Sequence, residues 1–225
     1  MEIKVLKNIL SANNQIAEQN RQLLASKNIL AVNIMSSPGA GKTTLILRTV
    51  EALKGKADIG VIEGDVSSSF DTEKLIKAGV TAIQINTGGE CHLDASMVNS
   101  ALLNLPLDNL DIIFIENVGN LICPGEFNLG EHLKVLVTST PEGDDKPHKY
   151  PLLFTIAHAC VVNKTDLLPY VNFDMDGFYR AVKGINQKAV FFQVCSTTSE
   201  GIGDWGAWVM KNLDKLRAAT GSSGK

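Results

Sequence analysis

Ser36-Ser37-Pro38-Gly39-Ala40-Gly41-Lys42-Thr43-Thr44 decides how the rest of this chain is read. It follows a short apolar run at 29–35 (Ile-Leu-Ala-Val-Asn-Ile-Met) and precedes a helical pattern at 42–53. A strand that turns through glycines into a helix N-terminus forms a cradle for phosphate. Gly39 and Gly41 let the backbone curl so that successive N–H groups face an anion. The helix adds the positive end of its dipole. In that geometry Pro38, Gly39, Ala40, Gly41, Lys42, Thr43 and Thr44 line the nucleotide. Lys42 reaches the β- and γ-phosphates, and the Thr43 hydroxyl ligates Mg²⁺. The usual pattern opens on glycine, and Ser36 stands there instead. The glycines that approach phosphate most closely are kept.

Working outward, further apolar runs fall at 57–62, 80–85, 110–115, 134–138, 159–162 and 189–194, and helix-like windows fall at 71–78, 94–105, 175–184 and 203–216. Strands alternating with helices imply crossovers and a parallel sheet. The runs are mostly continuous rather than alternating, as expected of strands covered on both faces. The expected fold is α/β, a three-layer P-loop NTPase architecture with a mainly parallel sheet and an N-terminal helix. Residues 1–26 carry an irregular helical stripe and read as a helix lying on the domain or on a partner. Residues 27–217 read as the nucleotide-binding domain, and 218–225 as a flexible tail.

Composition narrows the function. The 225 residues are 44 % hydrophobic and 20 % charged, which supports a folded core. A net charge of −3 gives no basic excess for a phosphate backbone, so nucleic acid is not the expected partner. Four cysteines do not make a disulfide scaffold, and no secretory leader is visible. The apolar stretch 151–162 is too short to span a bilayer and contains His158. The expected compartment is the cytoplasm, with no membrane partner.

Asn163-Lys164-Thr165-Asp166 ends a later apolar run. The Asp166 carboxylate only accepts, so it can take both the N1–H and the exocyclic amine of guanine. Adenine offers neither and would leave it unpaired, which a buried polar site penalises strongly. The Lys164 stem can cover the purine face. With a phosphate loop upstream, this element selects GTP over ATP. Ser196 and Thr197, after the last apolar run, are placed to back the guanine O6.

Glu116 and Gly119 sit at the tip of the run 110–115, and Glu63-Gly64-Asp65 ends the run 57–62. In a parallel sheet ligands bind beyond the carboxyl ends of the strands, so Thr43, Asp65 and Glu116 can converge on Mg²⁺. The expected catalytic set is Lys42, Asp65 and Glu116. Gly119 is followed by Asn120, not glutamine, so no water-positioning amide is visible and slow turnover is expected. Asp65 and Asp71 are the candidates for the base.

Gly88-Gly89-Glu90-Cys91-His92-Leu93-Asp94 precedes a helical window that Asp94 can cap, and Cys123-Pro124 follows closely after Gly119. Thiolate and imidazole suit Zn²⁺ or Ni²⁺ rather than Mg²⁺. Spacing alone leaves two readings open: Cys91, His92 and Cys123 as ligands, or each cysteine as a small buried hydrophobe. Cys160, Cys195, His132, His148 and His158 read as ordinary residues. Three ligands leave a metal shell incomplete, and a two-fold dimer could complete it.

Taken together, these segments resemble the hydrogenase nickel-insertion GTPases of the HypB family. The resemblance rests on Ser36–Thr44, Glu63–Asp65, Gly88–Asp94, Glu116–Pro124, Glu142-Gly-Asp-Asp-Lys-Pro147 and Asn163–Asp166. It implies a GTP-dependent homodimer that helps deliver nickel to the large-subunit precursor of [NiFe]-hydrogenase, working with a zinc-binding nickel metallochaperone. It further implies GTP/GDP, Mg²⁺ and Ni²⁺ or Zn²⁺ as ligands, with Cys91, His92 and Cys123 at the dimer interface. Lys149 resembles a lysine that reaches the other subunit's nucleotide, with Lys146 as the competing candidate. Two alternatives remain open: a metal carrier or sensor whose nucleotide only controls dimerisation, and a urease- or cobalamin-type accessory GTPase. The Cys-Pro-His motif of the urease relatives is absent.

Overall fold

β1 (Leu30–Ser36) is buried along its whole length and lies at the centre of the sheet. The computed structural model describes residues 2–65 and 70–221, with the side chains of 2–9 excepted. Helix α1 (Glu2–Ser26) precedes β1, and α2 (Lys42–Leu53) follows it. Then come β2 (Ile59–Asp65), α3 (Phe70–Lys77), β3 (Thr81–Asn86), α4 (Ala95–Leu102), β4 (Ile112–Glu116) and β5 (Leu133–Ser139). The chain continues through α5 (Lys146–Lys149), α6 (Pro151–Ile156), β6 (Ala159–Asn163), α7 (Met175–Ile185), β7 (Val190–Gln193) and α8 (Ile202–Ala219).

The seven strands form one sheet in the order β3-β2-β4-β1-β5-β6-β7, and every strand pair is parallel. The sequence points to this architecture because its central strands are buried on both faces, whereas edge strands β3 and β7 are partly exposed. On one face Val32, Ile34, Phe114 and Val135 pack with Leu45 and Ile46 of α2 and with Trp205 and Val209 of α8. Trp205 Nε1 donates to Thr49 Oγ1 at 2.8 Å, which satisfies the indole inside that layer.

The other face is split. Ala31, Ile113 and Ile115 pack with Leu24 of α1 and Val98 of α4, while Met35, Leu136 and Val162 pack with Phe154 of α6 and Phe178 of α7. Residues 31, 33 and 35 of β1 alternate onto that face. Asn33 therefore falls at the seam between the two apolar clusters, fully buried.

The run read at 159–162 is β6, and the residues before it form α6, because Pro151 starts a helix turn where its missing N–H costs nothing. At the C-terminus α8 runs to Ala219, two residues into the segment read as a tail, and the Thr220 hydroxyl donates to Asn28 Oδ1 at 2.5 Å. Residues 222–225 of that segment lie outside the described residues. Among the described residues no helix is long and apolar enough to cross a membrane.

Candidate functional site

The loop between β1 and α2 has the curl expected of a phosphate cradle: Gly39 has φ +76° and Gly41 φ +97°. Glycine adopts these left-handed conformations without steric cost. Ser36 is not an idle replacement for glycine, since its hydroxyl accepts from Lys42 Nζ at 3.2 Å and donates to Ser37 O at 2.5 Å. It holds the lysine folded over the loop. Ser37 Oγ is buried there without a hydrogen-bond partner.

The Thr43 hydroxyl donates to Glu116 Oε1 at 2.8 Å, joining α2 to the tip of β4. Glu116 Oε2 is buried with no partner. An orphaned, buried carboxylate oxygen is costly unless a cation or donor completes it. With the neighbouring hydroxyl it makes a hard oxygen donor set of the kind Mg²⁺ takes. Burial pushes the Glu116 carboxyl up to about 7, against the pull of Lys42 and the Thr43 hydrogen bond.

Glu63 lies opposite Glu116 in the β2–β4 register, so both side chains leave the sheet on the face that carries α2 and α3. Its Oε2 accepts from Thr72 Oγ1 of α3 at 2.9 Å. Burial raises Glu63 to about 7, and the charges of Glu116, Asp65 and Asp71 add to that effect. Sequence reasoning assigned the chemistry of Glu63-Gly64-Asp65 to Asp65 alone and missed Glu63. Asp65 ends β2 next to these groups. Asp71 opens α3 and pairs with Lys74 at 2.8 Å.

The base-reading elements meet the phosphate loop from the other side. Asn163 is buried, and its Nδ2 donates to Ala40 O at 3.0 Å. Its Oδ1 accepts from the Lys164 and Ser196 backbone N–H groups and from Ser196 Oγ, at 2.8–3.1 Å. Asn163 thus ties three loops together. Lys164 adopts a left-handed backbone (φ 60°) and lays its ammonium on Gly39 O at 2.7 Å. Asp166 is exposed, and its Oδ1 accepts from the buried Cys195 thiol at 3.1 Å. Thr197 is exposed beside the buried Ser196. Lys149 pairs with Asp145 within α5 and its N-cap, while Lys146 lies 5.7 Å from the Tyr150 ring centroid. Neither is tied to the phosphate loop.

Cys91, His92 and Cys123 come together although 32 residues separate the cysteines. Their candidate ligand atoms all lie within 4.8 Å of one another, and the two Sγ atoms are 2.9 Å apart. Both thiols are free. The adjacent Cys123 thiol, and then burial, hold Cys91 above its ordinary range, so a metal entering here would displace a proton. The His92 ring stacks on Phe127 at 3.9 Å. As read from the sequence, Asp94 caps α4 by accepting from Met97 N at 2.8 Å. Cys160 is buried, and His132 and His158 each accept a backbone N–H through Nδ1.

The segment from 116 to 123 connects the two centres. Glu116 contacts Thr43 of the phosphate loop. Gly119 lies against Pro38, so that a Cβ there would stand 2.9 Å from its backbone N and Cα. Asn117 Oδ1 accepts from Leu93 N at 3.2 Å, next to His92. Asn120 Nδ2 donates to Cys91 O at 3.3 Å, and Cys123 completes the cluster. Asn117 also continues into the seam of the sheet: its Nδ2 donates to Asn33 Oδ1, and Asn33 Nδ2 donates to Glu131 Oε1, both at 3.2 Å. Lys134 pairs with Glu131 and holds its carboxyl below the usual range despite burial.

Comparison with known proteins adds an independent finding. The family described as CobW/HypB/UreG, nucleotide-binding domain, matches residues 30–193. The hydrogenase maturation factor HypB of Escherichia coli K12 is 44 % identical over 209 residues, covering 93 % of this chain and 71 % of that protein. The crystal structure of a hydrogenase maturation factor HypB from Archaeoglobus fulgidus is 40 % identical with a TM-score of 0.85, covering 91 % of this chain and all of that one. HypB from Helicobacter pylori, solved in complex with nickel, is 34 % identical with a TM-score of 0.87 over 91 % of this chain and 96 % of that one.

Proposed function

This chain belongs to the HypB family of hydrogenase maturation factors, and from that premise we propose that it is a GTP-hydrolysing metallochaperone assisting nickel insertion into [NiFe]-hydrogenase. The observation that carries the proposal is the single segment 116–123, which touches the phosphate loop at Glu116 and Gly119 and the soft-ligand cluster at Asn117, Asn120 and Cys123.

In this reading Lys42 leaves Ser36 Oγ to meet the β- and γ-phosphates of GTP, and the 37–44 backbone cradles them. Thr43 and Glu116, with Asp65 nearby, would hold Mg²⁺, which neutralises charge on the phosphates. Asp166, aided by Lys164 and the Ser196–Thr197 loop, reads guanine. Water attacks the γ-phosphorus, the bond to the β–γ bridging oxygen breaks, and GDP and phosphate leave. Asp65 is the candidate to accept the proton. The cargo metal, Ni²⁺ or Zn²⁺, takes Cys91, His92 and Cys123. A γ-phosphate that shifts 116–123 then alters the spacing of those ligands, and the metal acts back on nucleotide binding by the same factor.

The incomplete ligand set supports a homodimer formed with GTP and the metal at its interface. Lys149, exposed on α5, is the residue assigned to the partner's nucleotide. The assigned partners are a zinc-binding nickel metallochaperone and the hydrogenase large-subunit precursor, and the assigned compartment is the cytoplasm.

A second reading, a metal carrier whose nucleotide only fixes the dimer, draws on Asn120. It stands where a water-positioning glutamine would, and its amide is engaged with Cys91 O and Ile122 N. Single-turnover GTP cleavage by the wild type and by Lys42→Ala separates the two. Cleavage that Lys42→Ala abolishes supports the GTPase. GTP that stays intact over hours in a metal-loaded wild-type dimer refutes it and leaves the carrier.

A further inference from the structure

Helix α1 does more than cover the sheet. Asn13, Ala17, Asn20, Arg21 and Leu24 recur at helical spacing along one face. Ala17, Asn20 and Leu24 are fully buried, and Asn13 is only 8 % exposed. Two asparagines buried beside Ala17 and Leu24 need partners, and those partners are two separate backbone segments.

The first is the start of α4. Asn13 Oδ1 accepts from Ala95 N at 2.8 Å, and Asn20 Nδ2 donates to Ala95 O at 2.9 Å. Ala95 is three residues beyond His92. The second is the turn after Cys123. Asn13 Nδ2 donates to Asn128 O at 2.8 Å, and Asn20 Nδ2 donates to Leu129 O at 2.9 Å. Residue 128 adjoins Phe127, the ring on which His92 stacks. The contact is close: Gly130, at φ +92°, has no room for a Cβ, which would fall 2.5 Å from Ala17 O and 2.6 Å from Asn20 Cβ.

The soft-ligand cluster is assembled from two loops, one carrying Cys91 and His92 and the other Cys123. Each side chain of the asparagine pair grips the C-terminal anchor of both loops. We propose that Asn13 and Asn20 are positioning residues for the Cys91–His92–Cys123 centre, and that α1 sets the separation of its two ligand-bearing loops. Anything that pulls on α1 would then change metal affinity without touching a ligand. The inference rests on the metal reading of the cluster given above.

The test is competition titration of Zn²⁺ against a chromophoric chelator, with Co²⁺ absorption as a second readout. The proteins are the wild type, Asn13→Ala/Asn20→Ala, Asn13→Asp, and the ligand variants Cys91→Ala and Cys123→Ala. The double variant is expected to bind Zn²⁺ at least about tenfold more weakly and to show an altered Co²⁺ ligand-field band, while its affinity for a non-hydrolysable GTP analogue with Mg²⁺ and no Zn²⁺ stays within about twofold. Asn13→Asp keeps the acceptor for Ala95 N and sets a carboxyl oxygen against Asn128 O where the donor stood. It leaves the Asn20 contacts in place should the double variant fold poorly, and a several-fold loss of Zn²⁺ affinity is expected. Folded Asn variants with wild-type Zn²⁺ affinity and Co²⁺ spectrum would overturn the inference. If Cys91→Ala and Cys123→Ala also bind metal normally, the metal reading itself has failed, a result distinct from failure of the asparagine bracket.

Discussion

Gly119→Ala isolates the join between phosphate loop and metal segment. The backbone at 119 is not left-handed, so alanine is conformationally allowed there and the whole effect comes from contact. The new methyl would sit 2.9 Å from Pro38 N, 2.9 Å from Pro38 Cα and 3.0 Å from Pro38 Cγ. Carbon atoms in comfortable contact stand about 3.5–4.0 Å apart, so the two segments must part by roughly half an ångström or more. Two of the three neighbours are backbone atoms and cannot swing aside as a flexible side chain would.

Overpacking of this kind costs about 1–3 kcal/mol, equivalent to roughly 5–150-fold in a binding constant. If the GTP-bound state needs 117–123 seated on the phosphate loop, the loss appears as weaker binding of a non-hydrolysable GTP analogue, with GDP less affected. The nucleotide dependence of Zn²⁺ affinity should flatten at the same time. Fluorescent-nucleotide titration with and without Zn²⁺ reads both effects. Gly39→Ala is the contrast, because its Cβ meets no protein atom within 4 Å, so its cost lies in the positive φ and in crowding the phosphate rather than in parting the two segments. A folded Gly119→Ala protein that binds the GTP analogue like wild type, and still changes Zn²⁺ affinity with nucleotide, would refute the idea that this contact couples the sites.

Further outcomes can be checked more briefly. Asp166→Asn should shift preference from GTP toward xanthosine triphosphate, since the amide offers a donor to the base carbonyl, and retained GTP preference in competition assays would defeat the base-reading argument. Glu116 is raised to about 7, so it favours folding below its ordinary pKa of 4.5 and that contribution is lost as pH rises through 7. At about 1.4 kcal/mol per pKa unit, the gap is worth on the order of 3 kcal/mol. Without nucleotide or metal, melting should therefore fall between pH 5.5 and pH 8, and Glu116→Gln should reduce that fall; an unchanged slope would remove the buried carboxylate as its cause. Asn117→Ala should loosen the metal loop through Leu93 N and lower Zn²⁺ affinity several-fold while guanine affinity holds, and equal losses of both would point to general destabilisation instead.

What the sequence makes legible, and what it hides, follows from how far each constraint reaches along the chain. The glycine turn at 39–41 and the Asn163–Asp166 element are specified by residues within a few positions, so spacing alone reveals them. The soft-ligand set is visible because cysteine and histidine are rare here and carry distinctive chemistry. Glu63 escapes because its role depends on lying opposite Glu116 in the sheet, and register is not written locally. Asn33, Asn117 and Glu131 escape for a related reason: their hydrogen bonds span 84 and 98 residues. Asn13 and Asn20 are hidden more deeply, since a helical stripe with two asparagines reads as imperfect amphipathicity until both backbone targets are known. These concealed residues share a property that bears on function. Each joins segments that carry ligands without being a ligand itself, and each is a polar group held where a hydrophobe would pack more cheaply. For Asn33, Asn117 and Glu131 that cost is accepted at the seam of the sheet, where their hydrogen bonds tie β1 to the metal loop. An apolar residue at Asn33 or Asn117 would stabilise packing there yet sever the connection from β1 to Leu93.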